Sequence, residues 1–162
     1  MIDAFLKLDT LAGESTDEGH VGWIEVLSFS QGVSQSVSGS VSGTGARSAE
    51  RCDHSDMSIM KQMDATTPDL LLKCSNGDHL DTATLQLHRA TANKQLYMEW
   101  AMEDVLITSV QASGSQGGGF PMESVSLNYA KVTWTYHKTD PETGDDKGVV
   151  AKWWDLKLNK GG

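Results

Sequence analysis

Five histidines, two cysteines and a scatter of carboxylates are the residues on which this chain could build chemistry. His20, His54, His79, His88 and His137 stand apart, and none has a Cys, Glu or second His at the spacing of a metal site such as HExxH or CxxC. Cys52-Asp53-His54-Ser55 has the letters of a hydrolytic triad. Neighbours in one backbone run point in divergent directions and cannot form a nucleophile–base–orienter relay. Ser55 reads better as a helix cap and His54 as a surface residue. Gly43-Thr44-Gly45 and Gly117-Gly118-Gly119 lack the lysine and the following helix of a phosphate cradle, so they read as loop tips. Asp140, Glu142, Asp145 and Asp146 miss the spacing of a calcium loop and read as a solvated turn. No carboxylate pair carries a positive sign of glycoside hydrolysis. The chemistry-bearing residues therefore predict no catalytic set, no cofactor and no metal.

The rest of the composition narrows the class. The 162 residues fit one domain, 1–162, large enough to bury roughly two-thirds of its unfolded surface. A hydrophobic share of 38% plus 16 glycines is too apolar for a disordered acidic tail. Acidic side chains outnumber basic ones 22 to 13, for a net charge of -9, which disfavours a phosphate backbone as partner. No apolar window of roughly 18 residues exists, so no membrane insertion is expected. Asp3 stands where a signal peptide wants positive charge, and no apolar region follows, which predicts residence in the cytoplasm. There Cys52 and Cys74 stay reduced.

The elements follow from periodicity. Residues 2–8 read as a strand and 13–20 as a polar loop. In 21–32, Val21, Trp23, Leu27 and Phe29 share one parity and Ile24, Val26, Ser28 and Ser30 the other; the bulky Trp23, Leu27 and Phe29 are expected in the core. In 32–43, Val33, Val37 and Val41 alternate with serines, which reads as an arm that orders only against something apolar. Met57, Met60 and Met63 recur at helical spacing, predicting a core-facing helix near 56–64 capped by Ser55 or Asp56. A break before Pro68 follows, then a helical turn with Thr67 as N-cap, buried by Leu70, Leu71, Leu72 and Cys74 and stopped by Asn76-Gly77. The helical segment thus spans 56–76. Beyond it, ATLQLHRA, QLYMEWAM, VLITSVQA, VSLNYAKVTWTYH and VVAKWWDLKL read as strands separated by turns. The class is mainly β, a barrel or sandwich with a helical cap.

Ordered along the whole chain are further groups of residues: Phe5-Leu6-Lys7-Leu8; Gly13-Glu14-Ser15-x-Asp17 with His20; Ile24-x-Val26-x-Ser28-Phe29; and Gly32-x-Ser34-Gln35. Asp56 and Lys61, Asp64-Ala65-Thr66-Thr67-Pro68-x-Leu70 and Cys74-Ser75-x-Gly77-x-His79 follow. Val105-Leu106-Ile107-x-Ser109-Val110 and Glu123-x-Val125-x-Leu127-Asn128-Tyr129-Ala130-Lys131-Val132 complete the set. In order and spacing this closely resembles the haemolysin-coregulated protein (Hcp) family of the bacterial type VI secretion system.

The resemblance implies a non-enzymatic tube subunit with a tail-tube-like fold, a β-barrel of two sheets with one flanking α-helix and an extended arm. It implies a homohexamer whose rings stack into a hollow tube inside a contractile sheath, capped by a VgrG-type spike. It further implies export from the cytoplasm by the type VI system, with secreted effectors carried in the lumen. Residues 32–50 would form the arm reaching the adjacent ring, with Val33, Val37 and Val41 as inter-ring contacts. Ser28 and Ser30 would face the lumen and its effectors, and the 2–8 and 125–137 strands would supply edges for contacts within the ring. No effector domain is expected at the C-terminus. The alternatives are a soluble β-sandwich ligand-binding module and a small hydrolase.

Overall fold

The computed structural model describes residues 1–38, 48–92 and 94–162. Its strands are β1 (Ile2–Leu8), β2 (Ile24–Val26), β3 (Ser28–Ser30), β4 (Val33–Ser38), β5 (Ser48–His54), β6 (Met57–Gln62), β7 (His79–Arg89), β8 (Leu96–Ser113), β9 (Met122–Thr139), β10 (Asp146–Asp155) and β11 (Lys160–Gly161). One helix, α1 (Thr67–Asn76), is present among the described residues. The protein is mainly β.

The strands form two sheets, of nine strands and of two. In the larger, every pairing is antiparallel and the order runs β11-β10-β9-β8-β7-β1-β2, with β6 joining β9 to β3. The expected two-sheet barrel is corrected in one respect: among the described residues, no continuous ladder closes the large sheet. Its two ends meet through the chain itself. β2 pairs with β1, β3 pairs with β6, and between them the Leu27 N–H donates to the Met60 carbonyl at 2.8 Å. The smaller sheet is the β4–β5 hairpin, which among the described residues pairs only with itself.

The core lies against one face of the large sheet. Ala4, Leu6 and Leu8 of β1, Ala83, Leu85 and Leu87 of β7, and Val125, Leu127 and Tyr129 of β9 each alternate into it, as a strand with one buried face requires. The parity expected for 21–32 is reversed in its first half. Ile24 and Val26 are buried, Leu27 is 59% exposed, and only Phe29 packs partly against the core. The kink at Leu27 explains this, because it changes the strand's partner and so its facing side. QLYMEWAM and VLITSVQA, expected as two strands, are halves of β8. Asp104 adopts φ 52 at their junction, and the inward parity passes from Met102 to Val105. The register with β7 and β9 runs unbroken past Asp104, so this positive-φ residue re-aims the side chains beyond it without a shift in pairing.

Residues 57–62 are a strand, not the helix expected over 56–64. Met57, Ile59 and Lys61 are buried and alternate with partly or fully exposed Ser58, Met60 and Gln62, while Met63 is also exposed. Period two therefore wins over the methionine spacing, and the helical segment shrinks from 56–76 to α1. Thr66 is its N-cap residue rather than Thr67, with Pro68 in the first turn. Gly77 at φ 73 ends it and donates to the Lys73 carbonyl, in the left-handed conformation glycine takes most easily. Leu70 is buried and Cys74 partly so, but Leu71 and Leu72 are exposed. Ser55 caps no helix: its hydroxyl accepts from the Gly32 N–H at 2.8 Å and donates to the Gly32 carbonyl at 2.9 Å.

Lys61 faces Glu123 directly across β6 and β9, and the two form an ion pair with both side chains wholly buried. The Lys61 ammonium also donates to Asp64 Oδ1 at 3.0 Å and to the Gln62 carbonyl at 3.0 Å. Asp64 Oδ1 accepts from the Thr66 N–H at 2.8 Å, and the Thr67 hydroxyl donates to Glu123 Oε1 at 2.9 Å. The pair thereby ties two strands to the start of α1.

The polar loop at 13–20 is folded back on the sheet. Buried His20 stacks on Phe5, with ring centroids 4.2 Å apart and planes 5° from parallel, and meets Trp23 and His88 edge-on. Both its ring nitrogens face acceptors, Asp17 Oδ1 and Gln86 Oε1, each at 2.9 Å. Gln86 Nε2 donates to Glu99 Oε2 at 2.6 Å, which fixes the orientation of that amide. Lys94 also pairs with Asp17, and its ammonium and then His20 hold the Asp17 carboxyl down to about 2.

Two outcomes follow. Lys61→Met leaves Glu123 buried without its counter-charge and lowers unfolding free energy by about 3–5 kcal/mol, whereas Lys61→Met with Glu123→Leu restores most of it in urea titrations. The Asp17 contribution is complete above its ordinary value of 3.8 and fades as pH falls from there toward about 2. Amide protection over 13–20, corrected for intrinsic exchange rate, therefore falls across that window, and Asp17→Asn lowers it already at neutral pH.

Candidate assembly surfaces

Three surfaces remain once the core is filled, and each is built by strand geometry. The first is the β4–β5 arm. Val33 pairs with His54 and Val37 with Ala49, with an extra residue on β5 between these pairs. Val33 is 53% and Val37 49% exposed. Val41 and the tip of the 32–50 arm lie outside the described residues, as does Gly43-Thr44-Gly45.

Both roots of the arm converge on one buried phenol. Gln31 Nε2 donates to the Gly32 carbonyl at 3.1 Å and to Tyr129 Oη at 2.7 Å. His54 Nδ1 lies 3.0 Å from the same oxygen, and its ring lies 6.1 Å from that of Trp134 at 24°. Burial pushes the Tyr129 hydroxyl up to about 12 and pushes the His54 imidazole below its usual 6.5. His54 is thus half-buried and engaged, not the free surface residue expected. Arg51 donates to the Leu156 carbonyl at 2.9 Å, a second tether to the body. His54 bonds Tyr129 and Ser55 bonds Gly32, so Cys52-Asp53-His54-Ser55 forms no relay. Cys52 and Cys74 are both free, and no three His, Cys, Asp or Glu side chains among the described residues group to hold a metal ion.

The second surface is the outer face of β3, β6, β9 and β8. Pairing places Ser30 opposite Ser58, Ser58 opposite Ser126, and Ser126 opposite Ser109, a row of four hydroxyls across four strands. The next row is Ser28, Met60, Ser124 and Gln111. Ser58 and Ser126 hydroxyls are 3.2 Å apart. At one margin, Asp56 accepts from Thr108 at 2.7 Å and from Asn128 at 2.9 Å. Ser28 and Ser30, both exposed, therefore belong to a small-polar sheet face that the sequence alternation alone did not delineate.

The third surface is a strand edge. The 2–8 and 125–137 strands, expected as edges, are flanked instead: β1 lies between β2 and β7, and β9 between β8 on one side and β6 and β10 on the other. Among the described residues, β10 has β9 along one side and only the short β11 at Trp154 and Asp155 on the other. Val149 and Val150 of β10 are exposed.

The family model for the type VI secretion system effector Hcp matches residues 5–136 of this chain. The chain belongs to the Hcp family. Protein hcp1 of Pseudomonas aeruginosa is 35% identical over 159 residues, covering 98% of this chain and 97% of that one. The Major exported protein of the same species is 25% identical over 154 residues, covering 90% and 87%. A solved structure of a type six secretion system protein superposes with a TM-score of 0.94 at 30% identity, covering both chains fully. Family membership makes this chain a structural tube protein of type VI secretion and not an enzyme, which sets the hydrolase alternative aside. Hcp relatives are secreted proteins.

Proposed function

We propose that this Hcp chain forms six-membered rings that stack into a hollow tube, expelled with a VgrG-type spike by a contractile sheath and carrying effectors in its lumen. The chain is made in the cytoplasm and leaves through the type VI system. The observation that carries this reading is the self-paired β4–β5 arm, whose Val33 and Val37 keep about half their surface open. A two-stranded ribbon buries too little to be stable alone, and exposed valines on it call for a partner surface. The adjacent ring supplies that surface, with Val41 continuing the same alternation in the sequence.

The open side of β10 supports lateral pairing between neighbours, since an unpaired edge offers the same backbone hydrogen bonds that built the sheet. Head-to-tail contacts of this kind close a ring only at the matching rotation. The rows around Ser28 and Ser30 support a lumen wall of short hydroxyl side chains that holds effectors without charge. The whole of 1–162 then serves as one tube domain.

Negative-stain images and light scattering of the purified protein are expected to show six-membered rings, and a strict monomer at high concentration overturns the reading. Val33→Asp with Val37→Asp leaves rings intact and abolishes stacking, with thermal unfolding shifted by no more than a few degrees (about 4 °C). A collapse of the fold would place the arm in the core instead. Ser28→Arg with Ser30→Arg keeps the rings and reduces effector co-purification several-fold; undiminished effector retention by intact rings removes these serines from the lumen.

A further inference from the structure

The arm root carries an arrangement that assembly alone does not require. Gln31 stands two residues before β4 and His54 is the last residue of β5, so one phenol on β9 touches both ends of the hairpin. The role of the His54 nitrogen follows its tautomer, and one tautomer alone gives the Tyr129 proton an acceptor. Gln31 Nε2 faces the Gly32 carbonyl, so it is the amide nitrogen, and it must donate to Tyr129 Oη. The Tyr129 hydroxyl then donates its own proton to His54 Nδ1, which requires an imidazole that is neutral and unprotonated at that nitrogen.

We propose that Gln31, Tyr129 and His54 form a one-way hydrogen-bond relay that positions the arm, and that protonation of His54 releases it. A proton on Nδ1 turns His54 from acceptor to donor. Tyr129 Oη then faces two donors, and its own proton has no acceptor in a site only 2% exposed. A buried donor without a partner is costly, so the relay breaks. The surroundings give the proton no compensation. From β5, Arg51 is engaged with the Leu156 carbonyl, and Asp53 lies next to His54 in the strand, on the opposite side. Beyond β5, Asp56 has its two oxygens on Thr108 and Asn128. From β9 comes the Trp134 ring, and from β4 the apolar Val33 opposite His54. The Cys52 thiol and Asp56 act on Tyr129, where they favour the protonated phenol. Burial alone lowers the His54 imidazole below its ordinary 6.5. The docked arm is therefore fully held above that value and is lost as pH falls below it. The Gly32–Ser55 bonds keep the hairpin attached after release.

Hydrogen exchange of residues 33–38 and 49–54, corrected for intrinsic rate, tests the relay between about pH 7.5 and about pH 5. Light scattering on the same samples reads assembly separately, so a failure to form rings is not mistaken for a failure of the relay. In the unmodified protein, arm exchange is expected to accelerate about tenfold or more on acidification. His54→Gln keeps an acceptor that cannot titrate and is expected to stay protected at both values. Tyr129→Phe removes the relay and is expected to exchange fast at both. The proposal is overturned if the unmodified protein shows no acceleration, or if His54→Gln retains the full pH response. Tyr129→Phe arms protected like the unmodified ones overturn it too, and where that variant does not fold, His54→Gln decides.

Discussion

A single pair of opposite charges, Lys61 and Glu123, sits where neither can reach water, and the surrounding architecture depends on their meeting. Desolvating either ion alone costs several kcal/mol. A one-residue slip between β6 and β9 would turn one charge toward solvent and leave the other without its partner. The pair therefore specifies register as strongly as the apolar contacts do. It also reaches beyond the sheet. Through Asp64 and Thr67 the same cluster fixes where the strand ends and where α1 begins, so one electrostatic constraint orients a sheet, a turn and a helix together. Register in turn sets which side chains face outward: slipping β6 against β9 would dissolve the serine rows.

This constraint also shows what the sequence made legible. Strands whose apolar parity is unbroken, such as Ala83, Leu85 and Leu87, or Ala4, Leu6 and Leu8, can be read directly. The 57–62 segment could not, because its third inward residue is a lysine. Without a third apolar residue at position 61, Met57 and Ile59 make too short an alternation to outweigh three methionines at helical spacing. The signal was nonetheless present. Lys61 falls on the parity of Met57 and Ile59, and Glu123 on the parity of Val125 and Leu127. A lone cation and a lone anion on core parities of two strands mark a buried pair.

The candidate surfaces were legible to different degrees. The valine alternation marked the β4–β5 ribbon, on which Val33 and Val37 keep about half their surface exposed. Ser28 and Ser30 were visible as small residues, but their continuation through Ser58, Ser126 and Ser109 depends on strand order and register, which a linear sequence does not display. The open edge was misassigned for the same reason: whether a strand is flanked is a property of topology, and β10 differs from β1 and β9 only in what lies beside it. The acidic excess adds a constraint on any repeated assembly, since like charges recur with every copy and close contacts must be apolar, backbone-mediated or internally neutralised.

The length of β8 and β9 has a mechanical meaning. Each runs 18 residues, about 60 Å at the rise of an extended chain, against a usual strand of five or six. They stay paired through nearly all of it, past the bend at Asp104 and the register shift beside Thr108. Bonds perpendicular to two antiparallel strands share a lengthwise pull, because sliding one strand past the other must strain many of them at once. A pull across the strands would open them one by one. The hairpin is thus a girder with a strong direction along its strands and a weak one across them.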